Sequence, residues 1–591
     1  MSAGTRSAVK RRTSNVNDAP KESDTTDTKT KSVSAKKEDS QYKGIENHGY
    51  EFGGPYGCTA LMIWSHYILI YFWYCLETNE GMMVIPTSVD SLVSHLQNLG
   101  TLFIEKGTPS TFTWGAYFSF FFMQILLAAV MPGLTMEGLP TAPHGVRLLY
   151  HCNGYLCYYF CVFGVFVAHY LGWFPLSYLA DHFGETLIAS IIIADGTSLF
   201  WYIYGLLYAD AYNGRALHTG NIPYDFFMGT ILYPRIGEID IKMIAECRWS
   251  WTTLFLLTLS CAYKQYESMG YVSPNMLLML VAHWLYSNAT AKGEHCIPCT
   301  WDMFHENYGW MLNFWNICGV PFLYCYQSMY ILRNQAKISA SYPPVLAGAN
   351  FLILLVGYYV FDSANAQKAN MKIRVVRNTF PQVAWGMLQE PIALIRTPRG
   401  NLLVDGWYAF ARKMQYTGDI LMALSWGLAC GFHSSLPYFY VTFFTSMILH
   451  RQGRDEIRCA EKYGTYWKEY TDLVPNVFLP DPIVFFKWIF TGKHPLDNMP
   501  HLRSVPNTRG MGVGMGMGGP TSSPTTSSSS SSHNISTGSR NNTSTTAAML
   551  TNSGSSGSPA PAEHSSSSSS SSSISTQSAR KTATRSASKT K

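Results

Sequence analysis

The sequence predicts an all-α, polytopic integral membrane protein whose membrane domain lies between two disordered tails. Of its 591 residues, 47% are hydrophobic and only 14% are charged, which is too few charged side chains to cover a soluble protein of this size. Mean hydropathy is nevertheless zero, because polar ends offset a strongly apolar middle. Several apolar runs approach the ~20 residues that a helix needs to cross the hydrocarbon core. These observations exclude an ordinary soluble enzyme.

The two tails are residues 1–48 and 500–591. The first is rich in Lys, Ser, Thr and Asp without hydrophobic periodicity, and the second alternates Met with Gly and then runs into serine repeats. Such segments cannot bury enough apolar surface to offset the entropy lost on ordering. We therefore expect both tails to be disordered and the transmembrane domain to occupy residues 49–499.

Charge indicates how the chain lies in the membrane. The N-terminal tail holds 10 Lys+Arg and 7 Asp+Glu, the C-terminal tail 8 and 1, and the part between them 25 and 29. Because Lys and Arg near membrane ends resist translocation, we expect both termini in the cytosol and an even number of spans. The first 48 residues contain no apolar signal-peptide core, so the first span is expected to direct insertion.

Ten apolar segments are candidate membrane helices, so we expect about ten spans. Six reach or approach full length, namely residues 57–76, 114–134, 149–173, 186–208, 308–332 and 345–361. Four are shorter and are expected to tilt, kink or line a cavity, namely residues 249–263, 276–286, 420–432 and 438–449.

Ionisable side chains accumulate in the segment LLVDGWYAFARKMQYTGD, residues 402–419. Its polar residues are Asp405, Arg412, Lys413, Gln415, Tyr416 and Asp419. Ionisable residues at membrane depth are costly and usually face a cavity or a partner, which favours a binding site. The alternative is an interfacial loop with a belt of aromatic residues.

The segment RQGRDEIRCAEKYGTYWKEYTDLVP, residues 451–475, is typical of a helix leaving the membrane. Arg454, Arg458 and Lys462 recur every four residues, so they share one helix face that can hold phosphates. Tyrosines and a tryptophan suited to stacking a ring accompany them. The alternative is a positively charged flank without a ligand. No G-x-G-x-x-G motif follows a strand, which excludes a Rossmann domain as the nucleotide holder.

Three other groups of polar residues favour structural interpretations. Charges of both signs balance between residues 224 and 248, as in a salt-bridged loop. Cys296 and Cys299 form a single C-x-x-C, which is weak support for zinc, and we expect no metal. Asp195 lies within an apolar run, where a hydrogen bond between helices explains it as well as a functional site does.

Several motifs in a fixed order resemble those of the fungal and plant sterol reductases, from residue 50 to residue 493. Besides the two segments just described, they are YEFGG at 50–54, YDFFMG followed by PR at 224–235, TWD at 300–302 and ANAQK at 364–368. The combination of YEFGG, ANAQK and DGWY is most similar to the branch that reduces the 24(28) double bond, the Δ24(24(1))-sterol reductases, rather than to the Δ14 and Δ7 branches.

This resemblance implies an endoplasmic reticulum enzyme that binds NADPH in a cytosol-facing pocket of its C-terminal helices. The family's cofactor positions fall on Lys368, Lys372, Leu403, Tyr408, Gln415, Tyr416, Asp455, Cys459, Ala460, Glu461, Lys462, Tyr463 and Tyr470. Lys372 replaces an arginine of the family pattern and keeps the charge without the bidentate fork. The implied substrate is a sterol arriving from the bilayer. Other sterol-biosynthesis enzymes are conceivable partners, and nucleic acid is not expected.

The implied chemistry requires an acid. An isolated C=C bond accepts hydride only after protonation, and a proton added to the terminal methylene carbon leaves a tertiary cation at C-24 for hydride to quench. The candidate proton donors are Tyr470, Asp455 and Glu294.

Four alternatives remain open from the sequence. A C-14 or C-7 double-bond specificity would use the same family motifs. A methyltransferase of the isoprenylcysteine type shares the KYGxxW and VP pattern, although such enzymes are shorter and lack ANAQK and DGWY. A scaffold with a nucleic-acid-binding tail is disfavoured by the near balance of charge in residues 1–48. A transporter would require repeat symmetry.

Overall fold

The computed structural model describes residues 50–140, 146–208, 219–304, 306–372, 388, 392–493, 495 and 499–502. The described residues from Pro55 to Leu502 lie in one compact unit, and residues 50–54 belong to a second. The N-terminal tail, and the C-terminal tail beyond residue 502, lie outside the described residues.

The elements described up to residue 208 are six helices and one hairpin. In chain order they are α1 Gly54–Thr78, α2 Val89–Lys106, α3 Thr111–Val130, β1 Leu134–Pro140, β2 Arg147–Cys152, α4 Gly154–Tyr170, α5 Tyr178–Asp181 and α6 Phe183–Tyr208. Strands β1 and β2 pair antiparallel, with Leu134 opposite Cys152 and Pro140 opposite Arg147.

The central part contains shorter and less regular helices. The elements are α7 Ile222–Met228, β3 Arg235–Ile236, β4 Ile239–Asp240, α8 Ile241–Ile244, a π-helix at Ala245–Ser250, α9 Trp251–Met269, α10 Pro274–Gly293, a 3₁₀ helix at Glu294–Cys299, α11 Trp301–Phe304, α12 Trp310–Phe314, a π-helix at Trp315–Leu323 and α13 Tyr326–Ser341.

The C-terminal part begins with the longest helix. Its elements are α14 Pro344–Met371, β5 Leu394–Ile395, β6 Leu402–Leu403, a 3₁₀ helix at Gly406–Ala409, α15 Met414–Ala429, a 3₁₀ helix at Leu436–Tyr438, α16 Phe439–Tyr463, α17 Thr465–Leu473, α18 Pro482–Thr491 and a 3₁₀ helix at Pro500–Leu502.

The structure is mostly helical, as predicted, and four of the described helices are long and apolar enough to cross a membrane. They are α1, α3, α6 and α14. The remaining candidates are helical over most of their length. Helices α9, α10 and α16 hold 19, 20 and 25 residues but are too polar to meet the same criterion, so the expected total of about ten spans stays a prediction.

Two expected spans differ from the structure. The span expected from residue 149 starts as strand β2, and its helix begins only at Gly154. The span expected over 308–332 is broken into α12, a π-helix containing Pro321 and α13. Because proline has no amide hydrogen, it removes one backbone hydrogen bond from the helix, and hydrophobicity alone does not report that break.

Helices α14 and α15 pack in close contact, and this contact fixes the position of the residues that follow and precede them in the C-terminal part. A side chain on Gly418 would meet the backbone nitrogen of Phe361 at 2.5 Å and the carbonyl oxygen of Gly357 at 2.6 Å. Asn350 also donates a hydrogen bond of 2.9 Å to the Ser425 carbonyl. Small residues that let backbones meet, tied by polar side chains, are typical of helix pairs in membranes.

Candidate functional site

Two adjacent cations in the first charged segment meet two adjacent carboxylates in the second. Lys413 forms an ion pair with Asp455, and Arg412 donates to Glu456 Oε1 at 3.3 Å. The indole nitrogen of Trp467 also donates to Glu456, at 3.1 Å. The loop before α15 is therefore fastened to α16 and α17 by charge-assisted hydrogen bonds.

The chain after α17 runs beside the same loop. Arg412 Nη1 donates to the carbonyl oxygens of Val474 at 2.7 Å and Pro475 at 2.9 Å. The Lys413 amide donates to the Val477 carbonyl at 2.8 Å. The carbonyl oxygens of the VP pair at the end of the second segment thus accept the hydrogen bonds that hold Arg412 of the first segment in place.

The ANAQK motif contacts the GWY residues directly. The Trp407 amide donates to Gln367 Oε1 at 2.9 Å, and its indole nitrogen donates to Ser363 Oγ at 2.7 Å. Gly406 has a φ of 55°, and a side chain there would collide with the Gln367 amide group. Glycine is required at this position both for its backbone conformation and for the close approach.

Tyr408 and Lys368 connect these two motifs to the Lys413–Asp455 pair and to Gln415 at the start of α15. The Tyr408 hydroxyl lies 3.2 Å from both the Ala364 carbonyl oxygen and Gln415 Oε1. Lys368 Nζ lies 6.0 Å from the centre of the Tyr408 ring and within electrostatic range of Lys413 and Asp455. Lys413 Nζ lies 5.9 Å from the centre of the Tyr416 ring. The structure therefore brings predicted residues from three separate segments into one neighbourhood.

The ionisation states in this neighbourhood follow from its charges. Burial alone would raise the pKa of Asp455, but the ammonium of Lys413, assisted by Lys368 and Arg458, holds that pKa well below its usual range. Burial works against the charge of Lys413, yet Asp455 raises the pKa of Lys413 above its ordinary value. Both groups of the pair are charged at neutral pH. Burial raises the pKa of Tyr470, so this phenol keeps its proton.

Arg454 supplies the observation that tests whether this region fits a phosphorylated nucleotide. Its Nε and Nη1 atoms are buried without a hydrogen-bond partner among the described residues. A buried guanidinium normally has partners, because leaving a charged donor unsatisfied is costly. Arg454 directly precedes Asp455 in α16, and Lys368, Lys413 and Arg454, here called the cationic set, carry groups suited to phosphate oxygens.

The other predicted cofactor residues are placed less centrally. Leu403 is buried in β6 opposite Leu394. At the end of α16, Ala460, Glu461 and Lys462 are exposed, and Lys462 donates to the Tyr463 hydroxyl at 3.0 Å. Cys459 is half-buried in the same helix, and Tyr470 is buried in α17. Lys372 ends the stretch described after α14, within electrostatic range of Lys368.

Glu294 belongs to a different cluster. Its Oε1 accepts hydrogen bonds from Arg248 at 2.7 and 3.1 Å, and its Oε2 accepts one from the Gly154 amide at 2.6 Å. Arg248 Nη2 also donates to Asn153 Oδ1 at 2.7 Å. This buried ion pair joins α4, the π-helix at Ala245–Ser250 and the end of α10. None of its hydrogen bonds reaches Asp455 or Tyr470, so the structure does not bring the three proposed proton donors together.

Asp419, which the sequence placed in the polar segment 402–419 but not among the candidate proton donors, is a further buried carboxyl group. Asp419 is only 2% exposed, and the Tyr286 hydroxyl donates to its Oδ1 at 2.5 Å. Tyr286 in turn stacks on Phe361 of α14, with ring centres 5.7 Å apart. Asp419 lies one helical turn after Gln415 in α15. The motif YTGD shows an aspartate at its last position. It does not show the partner of that aspartate, Tyr286, which lies 133 residues away in sequence.

A large apolar cavity is also present, and none of these residues lines it. It measures about 630 Å³ and is lined by α3, α4, the residues between α4 and α6, Thr186 of α6, α9 and Phe322. It shares no lining residue with α14–α18 or with any predicted cofactor position. The neighbourhood of Lys368, Lys413 and Asp455 therefore remains the candidate site for the cofactor.

Comparison with known proteins identifies the family. A sequence profile of the ERG4/ERG24 family of ergosterol biosynthesis proteins matches residues 46–484. The chain belongs to this sterol reductase family. The resemblance predicted from YEFGG, ANAQK and the two charged segments is thereby confirmed.

The individual relatives include both Δ24(24(1))-sterol reductases and Δ14-sterol reductases. The chain is 38% identical to a Δ24(24(1))-sterol reductase of Gibberella zeae, over 73% of this chain and 72% of that protein. It is 36% identical to the Δ24(24(1))-sterol reductase erg4A of Aspergillus fumigatus, over 73% of this chain and 92% of that protein. It is 32% identical to a Δ14-sterol reductase of Methylotuvimicrobium alcaliphilum, over 73% of this chain and 95% of that protein.

Proposed function

We propose that this sterol reductase reduces the 24(28) double bond of a sterol side chain, with NADPH as the reductant. The observation that carries the proposal is the difference in identity, 38% and 36% to two Δ24(24(1))-sterol reductases against 32% to a Δ14-sterol reductase over the same share of the chain. The direct contact between ANAQK and GWY supports it, since these motifs distinguish the branch.

The cationic set of Lys368, Lys413 and Arg454 would hold the phosphates of NADPH. Arg454 has buried donors to offer, and the Lys413–Asp455 pair fixes the start of α15, the helix that carries Tyr416. Tyr408, beside Gln415, offers an aromatic face. NADPH, when bound, supplies the hydride that the saturated product requires.

The proton must come from the protein, and we assign it to Asp419. Asp455 and Glu294 are each engaged in an ion pair, and burial raises the pKa of Tyr470, which makes that phenol a weak acid. Asp419 is buried and is hydrogen-bonded to Tyr286. A carboxylic acid in an apolar environment tends to keep its proton until a reacting group takes it. The proton adds to the terminal methylene carbon, and C-24 then accepts hydride.

The setting of the reaction follows from the same proposal. The substrate is a membrane sterol, so it reaches the site from the bilayer. We place the enzyme in the endoplasmic reticulum membrane, as membership of this family implies, and we place both termini in the cytosol because the tails are basic. An isoprenylcysteine-type methyltransferase receives no support, because the reductase family profile extends over residues 46–484.

Double-bond specificity provides the decisive experiment. Purified full-length protein in phosphatidylcholine nanodiscs is expected to oxidise NADPH when given a 24(28)-unsaturated sterol. A sterol with a Δ14 bond and a saturated side chain is the matched control and should give no turnover. Turnover with the Δ14 sterol alone would identify a Δ14 reductase. No oxidation with either sterol, together with normal side chains in a deletion strain, would contradict the proposal.

A further inference from the structure

The large apolar cavity has the dimensions of a ligand site, although no step of the proposed reaction uses it. Its volume of about 630 Å³ lies within the range of about 300–1,000 Å³ that small-molecule sites occupy. It extends along α3 from Thr111 to Met123. Twelve residues of helix correspond to about 18 Å, so the cavity is elongated.

Small residues on two helices line the cavity. Gly115 and Ser119 line it from α3, and Gly164 and Ala168 line it from α4. A side chain added at Gly115 or Gly164 would meet nothing within 4 Å. The small residues leave room for a bulky rigid ligand, and the lack of close neighbours shows that larger residues fit at the two glycines without displacing the helices.

One end of the cavity is polar. Thr113 Oγ1 lies 2.8 Å from the Tyr178 hydroxyl and donates to Glu185 Oε2 at 2.6 Å. Glu185 Oε2 also accepts from the Ser110 amide at 3.0 Å. Thr113 and Tyr178 both line the cavity, while aromatic and aliphatic side chains line most of the rest. A ligand with a single hydroxyl group at one end of an apolar body matches this arrangement.

The cavity is accessible from the apolar surface of the membrane helices. Phe160 and Trp173 line it and are 50% and 71% exposed. Helix α3, which forms one wall, is among the helices suited to cross a membrane. A ligand dissolved in lipid therefore reaches the cavity without crossing water.

We propose that this cavity binds an intact membrane sterol, with its hydroxyl group at the Thr113–Tyr178 end, at a site separate from the site of reduction. A sterol combines the required features, namely an elongated apolar body and one terminal hydroxyl group. Because no predicted cofactor residue lines the cavity, binding here depends neither on NADPH nor on a 24(28) double bond. The proposal goes beyond the reductase activity, since the bound sterol is not the one being reduced.

Substitutions that fill the cavity test this proposal. Gly164→Leu and Gly115→Leu place an isobutyl group in open space, and leucine also favours a helix over glycine by up to ~1 kcal/mol, so both variants should fold. Gly348→Leu is the matched control, because Gly348 is likewise exposed in a membrane helix, α14, with nothing within 4 Å of an added side chain. The probe is tritiated ergosterol, whose side chain has no 24(28) bond, in phosphatidylcholine nanodiscs without NADPH.

Wild type and Gly348→Leu are expected to bind the probe, and the two cavity variants are expected to bind it at least about tenfold more weakly. NADPH oxidation with a 24(28)-unsaturated sterol is measured in parallel and should be retained in all four proteins. Equal binding by every variant, or no binding by wild type, overturns the proposal. Loss of binding together with loss of turnover in the cavity variants also overturns it, because the cavity would then be the substrate chamber. An inactive wild type that still binds the probe would contradict only the reductase proposal.

Discussion

Lys413 and Asp455 show how two residues far apart in sequence acquire their charge states from each other. Lys413 is almost fully buried, so it carries a charge only because Asp455 lies against it. Arg412 and Glu456, their immediate neighbours, form a parallel pair. A neutral partner at either position of the first pair would leave a buried charge without compensation.

Asp455→Asn is therefore expected to destabilise the protein by about 2 kcal/mol and to weaken NADPH binding, because Lys413 loses its counter-charge. Thermal unfolding in detergent and the KM for NADPH measure the two effects. Asp472→Asn, on an exposed part of α17, is the control and should change neither. An unchanged unfolding temperature for Asp455→Asn would contradict the importance of the pair.

The same pair predicts a pH dependence. The pKa of Asp455 in the folded protein is lower than that of an unfolded chain, about 3.9. Its contribution to stability is thus fully present above pH ~4 and is lost as pH falls toward the folded-state pKa. The difference in unfolding temperature between wild type and Asp455→Asn should be constant from pH 7 to 5 and shrink below pH ~4. A difference that grows on acidification would have the wrong sign.

Asp419 and Tyr470 are distinguished by their kinetics. Asp419→Asn is expected to lower kcat by about 100-fold or more with little change in the KM for NADPH, because it removes the proposed proton donor. Tyr470→Phe is expected to raise the KM for NADPH and to leave kcat nearly unchanged. Steady-state NADPH oxidation measures both. The opposite pattern, with kcat lost only in Tyr470→Phe, would transfer the role of acid to Tyr470.

At the scale of elements, the pairing of α14 with α15 carries the site. Helix α14 supplies Lys368, and α15 begins directly after Lys413, so the distance between the two helices sets the distance between those cations. Gly357 and Gly418 allow the backbones to meet. The segment from α12 to α13 shows a different effect of sequence on an element. Composition alone predicts one continuous span there, but Pro321 interrupts its regular α-helical hydrogen bonding.

Gly418→Leu is expected to destabilise the protein by at least about 3 kcal/mol, because the new side chain would collide with the backbone of α14 at Phe361 and Gly357. Folded yield and unfolding temperature in detergent measure the effect, with Gly348→Leu as the control on the exposed face of α14. If Gly418→Leu folds with wild-type stability, the close approach of the helices is not required.

At the scale of the whole molecule, a sterol reductase domain is combined with two polar tails that are outside the family match over most of their length. Their composition gives them no means of forming a site. A chain lacking residues 1–48 and 503–591 is therefore expected to retain NADPH oxidation with a 24(28)-unsaturated sterol within about twofold of wild type. A loss of turnover in a folded, truncated protein would assign the tails a catalytic role.

The sequence by itself determined the chemistry that each segment offers. Hydrophobic runs and charge composition are local properties, so they were sufficient to predict a helical membrane protein. The ordered motifs were sufficient to identify the reductase family and to nominate Lys368, Tyr416 and Asp455. Only the tertiary structure decided which groups meet. It paired Lys413 with Asp455, placed Glu294 against Arg248, and joined Tyr286 to Asp419. The physical reason is that ionisation depends on burial and on the nearest charges, and those neighbours come from segments tens to more than a hundred residues apart.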